Sequence, residues 1–186
     1  MMASNANGGG GIPWRILGWG TAGALLLLPL VAMQFTREVS WTVGDFLFAA
    51  MMFGLVGVTL ELAVRASTNL GYRGGVAVAV MTTFLLVWIN GAVGIIGNED
   101  NPLNLMFFGV IALALAGSII ARFRAAGMVW AMAVAGAAQA SIGVVVFALN
   151  IASTEPPGAV GLLLLIEFFA GAWFLSAWLF RQAARS

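Results

Sequence analysis

Residues 75–104 read GVAVAVMTTFLLVWINGAVGIIGNEDNPLN, and the fold turns on this stretch. Its first part is an apolar run of about 22 residues, enough as a helix to cross a hydrocarbon core about 30 Å thick. Its second part holds adjacent acids, Glu99 and Asp100, followed by Asn101 and Pro102. Asn before Pro is a helix start: the amide caps free N–H groups, and proline suits the first helical position. Within the apolar run, Asn90 shares a face with Thr83, Val87, Gly94 and Gly97, because positions three, four and seven apart stack on one side of a helix. The stretch predicts a membrane helix whose small, polar face is turned away from lipid, then a polar connection, then another helix.

Apolar runs recur on both sides of it. Helix 1 is expected over 16–33, helix 2 over 42–64, helix 3 in the stretch above, helix 4 over 102–121, helix 5 over 128–151 and helix 6 from 156 or 158 to 180. Thr42 and Asp45 carry the capping-box spacing at the start of helix 2. Helix 1, with Arg15 before it and Leu25–Leu28 within it, has the outline of a signal peptide. No A-x-A-like site follows, so it is read as a retained anchor. Residues 1–15 form a Gly-rich tail expected to be disordered, 16–181 a single six-helix domain, and 182–186 a short second tail.

Composition agrees. The chain has 186 residues, 62% hydrophobic and 8% charged, against about 25% charged in a soluble domain. There is no Cys, His or Lys. That removes disulfides, thiolate and imidazole metal ligation, a Ser-His-Asp triad, a His-held haem and a lysine Schiff base. No cofactor and no enzymatic activity are expected. The near-zero net charge of +1 gives nucleic acid no reason to bind.

The eight arginines are unevenly spread. With six spans, Arg15, Arg65, Arg73, Arg122, Arg124, Arg181 and Arg185 fall on the side of the termini and only Arg37 falls opposite. The acids Glu38, Asp45, Glu99, Asp100 and Glu155 gather on the far side. By the positive-inside rule both termini are expected in the cytoplasm. A faint repeat aligns Asp45 with Asn104, Thr59 with Ser118 and Arg65 with Arg124, which would pair helices 2–3 with helices 4–5 as in parallel-repeat transporters. Shared membrane-helix composition explains the same matches.

Glu167 is the sharpest candidate for chemistry. It lies about nine residues into helix 6, roughly 14 Å deep, where an ionised carboxylate costs about 2.5–3.5 kcal/mol. It is expected to face the interior, with Gln139 of helix 5 as the favoured partner. It would act either as a proton or cation site or as hydrogen-bonding glue between helices. Asn90, Gln139 and Thr83 complete this intramembrane polar set. Glu61 stands four residues before Arg65, the favourable order for a helix ion pair. Glu99 and Asp100 read as solvated loop acids, with oxygen ligation of a cation as the alternative. Helix 5 is expected to be central because its small residues admit neighbours on several sides, and the Leu-rich helix 1 peripheral. Trp14, Trp19, Trp41, Trp130 and Trp178 read as interfacial belts, while Trp88 and Trp173 read as packed between helices.

The segments W-T-V-G-D-F and V-W-I-N-G-A-V-G-I-I-G-N-E-D-N-P resemble those of a family of small bacterial inner-membrane proteins with no assigned activity, over about residues 41–124. The resemblance implies a multi-pass protein of the bacterial inner membrane and no catalytic residue. Two functions stand open: a non-enzymatic structural or accessory component of a membrane complex, and a small proton- or cation-coupled transporter or channel using Glu167. Its partners would be the lipid bilayer and either other proteins or further copies of itself.

Overall fold

A computed structural model describes residues 14–151 and 158–186. Six α-helices account for most of them: α1 (Trp14–Ala32), α2 (Val43–Ala66), α3 (Leu70–Ala92), α4 (Leu105–Ile120), α5 (Ala125–Ala148) and α6 (Gly158–Ala183), with a 3₁₀ turn, Pro102–Asn104, leading into α4. There is no strand among the described residues. The six apolar segments are each long enough to cross a bilayer, because a helix rises about 1.5 Å per residue. The chain is an all-α, multi-pass membrane protein.

The chain divides into two compact units, the first ending at Gly57 inside α2 and the second running from Val58 to Ser186. In the first, the capping box at α2 is formed: the Thr42 N–H donates to Asp45 Oδ2 at 2.7 Å and the Asp45 N–H to Thr42 Oγ1 at 3.4 Å. Trp41 packs edge-on to Phe46, centroids 5.2 Å apart. Trp19, expected at an interface, lies over Gly57, where a methyl group would sit 2.7 Å from the indole. None of the span of α1 is buried.

The second unit is built around the α5–α6 pair: α4 packs against α5 and α3 against α6, so α5 is central as expected but shares that place with α6. Small residues set each approach. A methyl at Gly117 of α4 would lie 2.8 Å from Ala131 Cβ of α5, one at Gly136 of α5 would lie 3.1 Å from the Phe174 ring of α6, and one at Gly75 of α3 would lie 3.0 Å from the Phe180 ring. Small residues at crossings are how helices gain close contact where lipid supplies no hydrophobic drive. The interior between them is filled by Trp173, Phe107, Phe169, Phe180, Leu86 and Ile166. One polar tie crosses it: Ser176 Oγ donates to the Gly75 carbonyl at 2.8 Å.

The opening stretch folds differently at both ends from its hydropathy. Helix α3 starts at Leu70, five residues earlier than Gly75, because Asn69 caps it: its Oδ1 accepts the Tyr72 N–H at 3.0 Å. It ends at Ala92, so Gly94 and Gly97 are not on the helical face of Asn90. Gly94 takes φ +73°, a backbone shape that glycine adopts without steric cost, and its N–H reaches back to the Ile89 carbonyl at 3.0 Å. Ile95 and Ile96 then continue as buried loop, not helix. Their N–H groups find an acceptor in Asn104 Oδ1, at 3.2 and 2.8 Å, while Asn104 Nδ2 donates to the Asn98 carbonyl at 2.7 Å. Asn101 caps the 3₁₀ turn as expected, accepting from the Leu103 N–H at 3.0 Å.

Candidate functional site

Helices α5 and α6 run antiparallel, and two glycines fix their register. Gly136 meets Phe174 and Gly143 meets Glu167, so seven residues forward on one helix match seven backward on the other. A methyl at Gly143 would lie 2.5 Å from Glu167 Oε1 and 3.1 Å from Ile166 Cγ2. The carboxyl group thus rests in a notch that only glycine leaves open. Glu167 itself stands at the margin of the buried face of α6, beside the wholly buried Ile166.

The expected pairing of Glu167 with Gln139 is not formed. Gln139 is completely buried, yet neither its Oε1 nor its Nε2 makes a hydrogen bond, and Glu167 Oε1 makes none either. Register is the reason. The two glycine contacts put Gln139 level with residues 170–171, about one turn, or roughly 6 Å, along from Glu167. Asn90 is buried near the end of α3; its Nδ2 donates to the Leu86 carbonyl of its own helix at 2.7 Å, and its Oδ1 has no partner. Thr83 Oγ1 likewise donates within α3, to Ala79 at 2.9 Å. The four residues of the expected polar set therefore share no hydrogen bond. Three of them carry buried, unpaired polar atoms, and Trp173 Nε1, on the inward face of α6, is a further such atom. A buried unpaired polar group costs about 1–3 kcal/mol, so several in one small unit single out α5 and α6.

Glu61 and Arg65 lie at the end of α2, with Arg65 Nη2 2.6 Å from Glu61 Oε1. Glu99 and Asp100 are exposed in the α3–α4 connection. The positions matched by the faint repeat do different work: Asp45 serves a capping box and Asn104 holds a loop, while Arg65 is helical and Arg124 precedes a helix. Sequence reasoning gave no site role to Asn104, Gly143, Ser176 or the indole of Trp173. NPLN ahead of an apolar run signals a helix start, but nothing in it says that Asn104 turns back onto residues 95–98.

A second cluster forms where α3 begins, α4 meets α5 and α6 ends. Tyr72 joins all three: its hydroxyl donates to the Phe123 carbonyl at 2.9 Å, and its ring packs edge-on to Phe180 with centroids 5.4 Å apart. Arg73 closes the end of α2, donating to the Ser67 carbonyl at 2.6 Å and the Val64 carbonyl at 2.9 Å. No protein-family model, curated protein or solved structure matched the chain.

Proposed function

We propose that this chain is a non-enzymatic structural or accessory component of a membrane complex, seated in the bacterial inner membrane with both termini in the cytoplasm. The supporting observation is the filled interior of the second unit. Trp173, Phe107, Phe169 and Phe180, each at most 1% exposed, occupy the space between α3, α4, α5 and α6. The buried polar side chains of these helices bond to backbone carbonyls, as Thr82, Asn90, Ser118 and Ser176 do, or to nothing, as with Gln139, and among the described residues none bonds to another. The orientation rests on the seven-to-one distribution of arginine.

A second reading, a proton- or cation-coupled transporter using Glu167, draws on one specific observation. The buried Glu167 Oε1 has no hydrogen bond, and the unpaired carboxamide of Gln139 stands about a turn away. Intramembrane carboxyl groups often mark ion paths.

One experiment separates the two. The purified chain is reconstituted in liposomes with an internal pH-sensitive dye, and a pH or cation gradient is applied. The structural reading expects leak equal to that of empty liposomes, for the natural protein and for Glu167→Gln alike. A flux present in the natural protein and abolished by Glu167→Gln would overturn it in favour of transport.

A further inference from the structure

We propose that the arginine-bearing end of the second unit binds the headgroups of anionic phospholipids. The residues at that end, 58–73, 118–127 and 176–186, hold six arginines and a single carboxylate side chain, Glu61. Glu61 pairs with Arg65, and Arg73 donates to backbone carbonyls. Arg122, Arg124, Arg181 and Arg185 are exposed and make no ion pair with a described residue. Four unmatched guanidinium groups at the level where apolar spans end stand where phosphodiester groups lie, and guanidinium meets phosphate oxygens two at a time.

Two local structures build the surface. The first is the Arg122-Phe123-Arg124 turn. Arg122 and Phe123 both take left-handed backbone shapes, φ +51° and +55°, which side chains other than glycine disfavour. Such shapes persist where surroundings impose them. Here the Phe123 N–H donates to the Ser118 carbonyl at 3.0 Å and the Phe123 carbonyl accepts from Tyr72. The result sets Phe123, 54% exposed, as an apolar prong between two charges. The second is a stripe on α6. Trp178, Arg181 and Arg185 follow at three- and seven-residue spacing and so share a face, with the Trp178 indole 53% exposed. An aromatic at the acyl boundary with arginine beyond it matches the layering of a bilayer surface. Tyr72 contacts the turn through its hydroxyl and α6 through its ring, bringing the two together.

The test uses the full chain purified in a neutral detergent and titrated with dioleoylphosphatidylglycerol or dioleoylphosphatidylcholine, with bound lipid counted by native mass spectrometry. The anionic lipid should bind more tightly, and its advantage should fade in about 1 M salt, where the Debye length is about 3 Å. Each surface arginine adds roughly a fivefold factor to anionic-lipid binding, so Arg122→Gln combined with Arg124→Gln should weaken phosphatidylglycerol about 25-fold. The same charge loss on a regular helix, Arg181→Gln with Arg185→Gln, should act alike and does not depend on the strained turn folding. Arg37→Gln, in the α1–α2 connection, should change nothing. Equal binding of the two lipids by the natural protein would overturn the proposal. So would an anionic preference untouched by both double variants. Displacement of phosphatidylglycerol by millimolar inorganic phosphate would assign the surface to a free anion and likewise overturn it.

Discussion

At the scale of single residues, Asn104 does more structural work than the ionisable group at Glu167. Its carboxamide serves two buried N–H groups and two carbonyls, and Ile95 and Ile96 lie in a connection with no ladder to satisfy them. Asn104→Ala strands those groups and should cost about 2–3 kcal/mol, read as an earlier midpoint in SDS denaturation followed by circular dichroism. An unchanged midpoint would mean that apolar burial alone holds the connection. Glycines divide by what their neighbour can do. Gly117→Ala drives a methyl against Ala131 Cβ at 2.8 Å and Cα at 3.1 Å, so backbone must move, and a loss of about 1–3 kcal/mol is expected. Gly136→Ala meets the Phe174 ring at 3.1 Å, and that ring is 45% exposed and free to turn outward. The same assay should show Gly117→Ala as the more damaging change; the reverse order would contradict the α4–α5 packing described.

At the scale of elements, the sequence carried the helices and only some of their ends. Thr42 with Asp45 and Asn101 with Pro102 could be read directly, because capping depends on residues three or fewer positions apart. The start of α3 was harder. Its first turns hold three glycines, Gly71, Gly74 and Gly75, which weaken helical propensity, yet close contact with α6 needs small residues there: a methyl at Gly71 would lie 3.0 Å from the Leu179 carbonyl oxygen. The end of α3 was obscured because buried loop and buried helix are equally apolar, so hydropathy runs on through Ile95 and Ile96. The partner of Glu167 was beyond reach for a similar reason. Depth follows from counting residues along one helix, whereas pairing depends on the register between two. Tyr72 offers a test of how elements are joined. Tyr72→Phe removes the hydroxyl donated to the Phe123 carbonyl and should cost about 1 kcal/mol, with faster hydrogen exchange at residues 118–125. Unchanged exchange there would show that the turn holds its shape without the α3 contact.

At the scale of the whole molecule, charge carries the inference that packing cannot. The connections are short, and the arginines sort by side only if the chain crosses the membrane six times. Dropping one mid-chain span would place Arg122, Arg124, Arg181 and Arg185 opposite Arg65 and Arg73. The most direct measurement exploits the lack of native cysteine, which makes any introduced thiol a single label. Asn98→Cys in the α3–α4 connection and Ala126→Cys at the start of α5 are each expressed and exposed to a membrane-impermeant maleimide, in intact cells and after lysis. Six spans with cytoplasmic termini predict labelling of Asn98→Cys in intact, outer-membrane-permeabilised cells and of Ala126→Cys only after lysis. Labelling of both from the same side would contradict it.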